Sequence, residues 1–386
     1  MARARPRRDW RLPLGLLIVV LVGLAADGPP QLLGSVGQRS VGQRSVAQGS
    51  VGPKASQGST HASGHAQAGQ ASSTSVPEAF AAGARGLDTT GRLSGLPWMS
   101  GVHPSNEVQP YLDFGTWRGR PIDLALVYTD RYDGWDPLVE PSWPVDTFAA
   151  FPGTLVISEP MYPAGAGTNA ACATGAYDAQ WRRLGTFLVS RHRAASIVRV
   201  GWEFNGSFNY WHADADPTNF RLCFQQVVTA IRATDPDVLI DWTFNAHTSN
   251  DPAGGSPWPA YPGDQYVDFV GIDAYDHGPA SPTAAAFAAQ CAGPNGLCTA
   301  AAFARAHGKK LAVGEWGVVS CGSGGGGDNP GYIDEMWATF RANADVLGYE
   351  AYFSDPVPGN VCSTLGPGGQ NPRSGAEYQR LYRSGT

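Results

Sequence analysis

From about Phe80 onward, short apolar runs alternate with longer stretches whose apolar residues recur every three to four positions. The first pattern is that of strands buried on both faces, and the second that of amphipathic helices. The runs predict strands at Leu96–Ser100, Ile122–Tyr128, Leu155–Ser158, Ile197–Gly201, Val238–Trp242, Phe269–Ile272, Leu311–Gly314 and Val346–Phe353. Between them, helical spacing is clearest over Tyr177–Arg193, Pro217–Thr234, Thr283–His307 and Ile333–Ala344. In the second of these, Asp216 supplies an N-cap and Pro217 a first-turn proline. Phe220, Phe224, Val227, Val228 and Ile231 then form its apolar stripe. Eight strands alternating with helices in roughly 300 residues predict an α/β fold, a (β/α)8 TIM barrel with long loops at the carboxyl ends of its strands.

The N-terminus follows another logic. Arg3, Arg5, Arg7, Arg8 and Arg11 form a basic head, Leu12 to Leu24 an apolar stretch, and Ala25-Ala26 a small-residue exit. Residues 1–26 therefore read as a signal peptide, with an uncleaved signal anchor as the alternative. Pro13 and Gly15 interrupt the apolar stretch, which is short for a bilayer span. The Arg7-Arg8 pair is a weak twin-arginine signal. Residues 27–78 are rich in Ser, Gly, Gln and Ala and carry a pentapeptide repeat, Ser35-Val36-Gly37-Gln38-Arg39 followed by Ser40-Val41-Gly42-Gln43-Arg44 and two degraded copies. With so little to bury, this segment is expected to be a disordered linker, a tether to the cell envelope or a spacer. The folded domain is then 79–386.

An exported chain agrees with its cysteines. The six (Cys172, Cys223, Cys291, Cys298, Cys321, Cys362) are an even count with no two-residue zinc or redox spacing. Of the fifteen pairings, a barrel favours Cys291–Cys298 locally and Cys321–Cys362 between the last two strand-end loops, which leaves Cys172–Cys223. Apolar and charged fractions of 42% and 16% suit a globular protein with few surface charges. Loss of the first 26 residues removes five arginines and Asp9, leaving 22 basic and 32 acidic side chains, a net of −10. That balance argues against nucleic acid or an anionic membrane as partner and is compatible with a neutral polysaccharide. A monomer is expected.

Two glutamates carry the chemistry. Glu203 stands in Arg199-Val200-Gly201-Trp202-Glu203-Phe204-Asn205-Gly206 and Glu315 in Leu311-Ala312-Val313-Gly314-Glu315-Trp316-Gly317, each at the end of an apolar run. Under the predicted layout they close the fourth and seventh strands, at the face where a parallel barrel builds its site. Trp202, Phe204, Phe208, Tyr210, Trp211 and Trp316 surround them in sequence. Flat aromatic faces suit sugar rings, and paired carboxyl groups suit glycosidic cleavage. These motifs, with Val267-Asp268-Phe269-Val270-Gly271-Ile272-Asp273-Ala274-Tyr275, resemble glycoside hydrolase family 26, best known for β-mannanases, over roughly Trp98 to Phe353.

The resemblance implies Glu203 as general acid/base and Glu315 as nucleophile. It implies that the Tyr275 hydroxyl steadies Glu315 and that Asp273 binds sugar hydroxyls or nearby donors. Trp202 stands where the family's mannanases place a histidine. From the residues themselves, Arg199 alternates toward the interior and needs an acidic partner. Trp211, Trp242 and Trp316 are candidate sugar platforms, while His103 and Asn205 are further candidates at the same rim. Asn245 and His247 are loop candidates, and Glu159 is a third acidic group there, for substrate or a salt bridge.

The function expected is a secreted retaining endo-β-glycanase, β-1,4-mannan-directed, needing no cofactor or metal. The same chemistry on β-xylan, β-glucan or a bacterial exopolysaccharide is the alternative among enzymes. A non-catalytic carbohydrate-binding barrel is the alternative outside them, although a binder has no use for a protonated acid or a nucleophile. The eight histidines lack metal-ligand spacing and no Gly-x-Ser-x-Gly elbow occurs, which argues against a metal-dependent or serine esterase.

Overall fold

The computed structural model describes residues 92–213, 216–246, 256–322 and 324–385. The signal segment, the linker and its repeats lie outside the described residues. Eight parallel strands close into a barrel in sequence order. They are β1 (Met99–His103), β2 (Leu124–Tyr128), β3 (Thr154–Glu159), β4 (Ile197–Val200), β5 (Leu239–Asn245), β6 (Phe269–Tyr275), β7 (Lys310–Gly317) and β8 (Leu347–Phe353). Around them run α1 (Val108–Arg118), α2 (Trp135–Val139), α3 (Ser142–Thr147), α4 (Asn169–Ala173), α5 (Asp178–Ser190) and α6 (Pro217–Arg232). The outer layer is completed by α7 (Ala284–Cys291), α8 (Leu297–Ala306), α9 (Pro330–Ala342) and α10 (Pro372–Ser384).

Two expectations are corrected. The first strand begins three residues later than predicted, because apolar character and ladder pairing differ there. Leu96 and Trp98 are buried, Trp98 against Trp337 and Phe340. Pro97 has no N–H for a ladder, and pairing with β8 runs from Met99 opposite Tyr349 to His103 opposite Phe353. The stretch Thr283–His307 is two helices, α7 and α8. The chain turns at Gly293-Pro294-Asn295-Gly296, and a Cβ on Gly296 would sit 2.1 Å from the Gln290 carbonyl oxygen. Cys291–Cys298 ties this turn; Cys172–Cys223 and Cys321–Cys362 also form, as expected. In α6 the Asp216 carboxylate accepts from the Asn219 amide at 3.0 Å, and the predicted apolar stripe is buried.

The barrel interior is layered. Met99, Leu124, Val156, Ile197 and Phe269, near the strand beginnings, fill it with apolar side chains. Above them the filling turns polar: Ser158, Arg199, Asp241 and Tyr349 are all fully buried. Arg199 has room because the neighbouring positions carry no side chain. A Cβ on Gly314 would lie 2.7 Å from Arg199 Nε. One on Gly271 would lie 2.2 Å from Asp241 Oδ1 and Thr243 Oγ1. These glycines admit the charged layer on which the upper rim rests.

Candidate active site

Glu315 projects from β7 above Arg199. Its Oε1 accepts from the Arg199 guanidinium at 2.9 Å and from the Tyr128 hydroxyl at 2.6 Å. Its Oε2 accepts from the Tyr275 hydroxyl at 2.9 Å. Asp273, facing it from β6, accepts from the Glu315 amide at 2.9 Å and pairs with Arg199, which also donates to Ser158 at 2.9 Å. Burial alone would raise the Glu315 carboxyl. The Arg199 charge and the three donors more than offset it and hold the group below its ordinary value of 4.5. Glu315 is therefore a carboxylate at neutral pH.

Glu203 reaches the same space from a different kind of backbone. The strand ends at Val200, because Gly201 turns left-handed (φ 56°). Glu203 follows with φ 50°, a conformation that L residues other than Asn and Asp adopt rarely and at a cost of roughly 1–2 kcal/mol. The turn is fastened from both sides. The Glu203 amide donates to the Thr243 carbonyl at 2.9 Å, and the Asn209 side chain donates to the Glu203 carbonyl at 3.2 Å. Glu203 is 9% exposed, and its carboxyl accepts from the Asn245 side-chain amide. Burial, with the Glu315 charge nearby, pushes it up to about 8. Below that pH it carries a proton.

An oxygen from each of Glu203, Asp273 and Glu315 lies within 4.8 Å of the others. Arg199 donates to two of the three, so the set is already organised around a fixed guanidinium. A protonated and an ionised carboxyl thus face each other at the short separation seen in retaining glycosidases. Residues 189–311 match the family model described as Glycosyl hydrolase family 26. That segment is similar to the glycoside hydrolases of family 26. It contains Glu203, β5 and β6, and ends four residues before Glu315.

Solved structures of similar fold include a modular endo-β-1,4-mannanase from Cellulomonas fimi, with a TM-score of 0.55 at 17% identity over 76% of this chain and 72% of that one. The catalytic domain of a GH26 endo-β-1,4-mannanase from Bacillus sp. JAMB-750 gives 0.52 at 16% identity over 76% and 86%. GH26C from a Muricauda species gives 0.55 at 13% identity over 76% and 87%. At such identities the likeness establishes the architecture. No curated protein matches the chain.

Within this glycoside hydrolase barrel, Glu203, Glu315, Asp273, Tyr275, Arg199, Trp202, Asn205 and His103 converge. Arg199 has the acidic partners its burial demands: Asp273, Glu315 and, at 3.8 Å, Asp241. Asp273 serves protein donors and is almost sealed from solvent. Asn205 holds Asn245, accepting from its amide at 2.7 Å and donating to its carbonyl at 2.9 Å, and so acts one step behind Glu203. His103 lies against the Leu126 carbonyl at 2.8 Å, stacked on Phe353 and edge-on to Tyr128.

Three tryptophans do not join the cleft. Trp242 points to the helix layer, against Phe204, Phe244 and Tyr261. Trp316 also points outward, donating to Glu350 at 2.6 Å and packing on Phe340 and Tyr352. Trp211 is fully buried behind Trp202, to whose carbonyl it donates at 2.8 Å. Glu159 is likewise buried away from the rim, accepting from the Thr129 hydroxyl at 2.7 Å with no cation paired to it among the described residues. Burial raises its carboxyl well above the usual range. Phe204 lies on Phe220 and Trp242. His247 lies outside the described residues.

Two contacts escaped the sequence reading. Tyr128 closes β2 and donates to Glu315; its signal was a tyrosine ending a predicted strand on the inward-facing register. Arg131, just past that strand, places its guanidinium carbon 5.4 Å from the Trp202 ring, 5.7 Å from Trp211 and 5.6 Å from Tyr132. No periodicity marks a loop arginine.

Proposed function

We propose that this glycoside hydrolase is a secreted, retaining endo-β-glycanase acting on β-1,4-mannan through a glycosyl-enzyme intermediate. The observation that carries the reading is the pair Glu203 and Glu315, with one oxygen of each within 4.8 Å of the other and the two in opposite protonation states. An inverting enzyme needs room for a water between its carboxyl groups, about 6.5–9.5 Å, whereas direct attack needs about 5–5.5 Å. Glu203 donates its proton to the glycosidic oxygen as that bond breaks, and Glu315 Oε attacks the anomeric carbon. The Glu203 carboxylate left behind then takes a proton from water, whose oxygen displaces Glu315 and restores both groups. Tyr275 and Tyr128 hold the attacking carboxylate, and Asn245 orients the acid.

Mannan is supported by the endo-β-1,4-mannanases among the similar folds. Export is supported by the basic and apolar N-terminal pattern and by three disulfides. A panel of mannan, galactomannan, β-xylans and β-glucans, with product sizing and proton NMR of the first-formed anomer, tests the reading. The expected outcome is internal cleavage of mannan with β-anomer released first, abolished in Glu315→Ala while oligosaccharide binding stays within about tenfold. Release of the α-anomer, or undiminished turnover by that variant, would refute it.

A further inference from the structure

One cation beside the cleft has no carboxylate in contact with it. Arg199 pairs with Asp273 and Glu315. Glu203 is neutral until about pH 8. Arg131, half-buried on the loop after β2, is left with its charge facing aromatic rings. Among the described residues no carboxylate forms an ion pair with it and no acceptor takes its guanidinium protons; its recorded partners are Trp202, Trp211 and Tyr132. Cation–π contact attracts a guanidinium without neutralising it and leaves its N–H groups free to donate.

Its backbone is held in place. The Arg131 carbonyl accepts from the Ala164 amide at 2.9 Å, and the Tyr210 hydroxyl donates to the neighbouring Tyr162 carbonyl at 3.0 Å. The loops following β2, β3 and β4 are thereby tied together. Its partner Trp202 is the residue that precedes the acid, and the Arg131 charge is felt at the Glu203 carboxyl. Trp202 itself is 5% exposed, lying between Trp211, Arg131 and Tyr128, so it offers a sugar little open face. What this wall presents beside the acid is a cation next to the exposed ring of Tyr132 (61%).

We infer that Arg131 is a specificity-determining residue that receives a carboxylate on the substrate, so that the preferred glycan carries acidic sugars or acidic substituents next to the scissile bond. This rests on the retaining-glycanase reading and narrows its substrate class. A planar guanidinium matches a carboxylate with two parallel N–H donors, a stronger and more directional contact than a sugar hydroxyl makes. The acidic balance of the whole chain opposes such a polymer only at long range, where salt screens beyond about 8–10 Å; a contact pair in a partly desolvated wall is screened far less.

The test uses matched substrates: a glucuronomannan, the same polymer after its carboxyl groups are reduced to alcohols, and unsubstituted mannan. The expected wild-type result is a kcat/KM on the glucuronomannan about tenfold or more above that on its reduced form, a ratio that shrinks as salt is raised. In Arg131→Gln that ratio falls to near unity, whereas Arg131→Lys keeps part of it. A ratio removes any general effect of the variant on folding or on the acid. Equal wild-type turnover of the two forms, preference for the reduced form, or a preference that survives Arg131→Gln would overturn the inference while leaving the glycanase reading intact. Failure to cleave any of the three polymers would overturn both.

Discussion

Deleting the Tyr275 hydroxyl is the sharpest probe of how Glu315 stays ionised. Glu315 Oε2 has Tyr275 as its one recorded donor among the described residues, at 2.9 Å, whereas Oε1 has both Tyr128 and Arg199. A hydrogen bond to a charged group contributes about 1.5–3 kcal/mol, and about 1.4 kcal/mol corresponds to one pK unit. Removing a donor that favours the ionised form raises the pKa. Tyr275→Phe should therefore move the Glu315 titration up by about one to two units. Tyr128→Phe should move it less despite its shorter bond, because Arg199 still serves that oxygen. In a kcat/KM profile against pH, the acid limb shifts upward in that order. The alkaline limb, which belongs to Glu203, stays in place, because Glu315 is ionised there in every variant. We expect a plateau loss of about ten- to a hundredfold for Tyr275→Phe, the same energy read as a rate. An acid limb that coincides with the wild type, or a larger shift in Tyr128→Phe, would refute the reasoning.

The remaining predictions concern the acid, its titration and the barrel beneath. Glu203→Ala should slow polysaccharide cleavage by at least about a hundredfold and activated aryl glycosides far less, since a good leaving group needs no proton; equal losses on both would contradict the role. Because the folded pKa of Glu203 lies above its ordinary value, the protonated fraction falls as pH rises, so activity should decline with an apparent pKa near 8. In Glu315→Gln the same carboxyl, followed by carbon NMR, should titrate lower, because the like charge is gone while burial remains; an unmoved titration would contradict the coupling. Gly314→Ala would put a Cβ 2.7 Å from Arg199 Nε, and Arg199 is pinned by Asp273, Glu315 and Ser158. It should cost about 1–3 kcal/mol in a urea titration and most of the activity, and an unperturbed variant would show that the charged layer gives way easily.

Much of the barrel was legible because its strands are buried on both faces and its longer helices carry clear stripes. Boundaries were less so where burial and pairing part company, as at Leu96 and Trp98, or where a short loop joins two helical runs, as at Gly296. The two glutamates and the Asp273 and Tyr275 pair were visible as polar residues ending apolar runs. The tryptophans were misread for a physical reason that period two already contains. If Glu315 faces inward, Trp316 must face outward, and Trp242, between inward Asp241 and Thr243, must do the same. Trp202 escapes that rule because the strand has ended before it. Arg131 and the role of Tyr128 depend on which loops meet over the rim, a tertiary fact that no local spacing encodes.

The opposite protonation of two neighbouring glutamates follows from where each leaves the barrel. Glu315 remains on its strand, level with the guanidinium that Gly314 makes room for, and inherits a cation and three donors. Glu203 is carried past the end of β4 by a left-handed turn and meets a neutral amide, Asn245, instead. Burial lifts its pKa first. A negative charge about 5 Å away then adds on the order of 3 kcal/mol at an effective dielectric of 20, while Asn245, Arg199 and Arg131 pull part of the rise back. Had the strand continued straight through Glu203, the period of two would still have aimed the carboxyl inward, but nearer to Arg199. Both groups would then have competed for one cation, and the acid would have lost the proton it has to give. The unfavourable φ of Glu203 is thus the conformational cost of keeping an acid and a base apart in charge while holding them close in space.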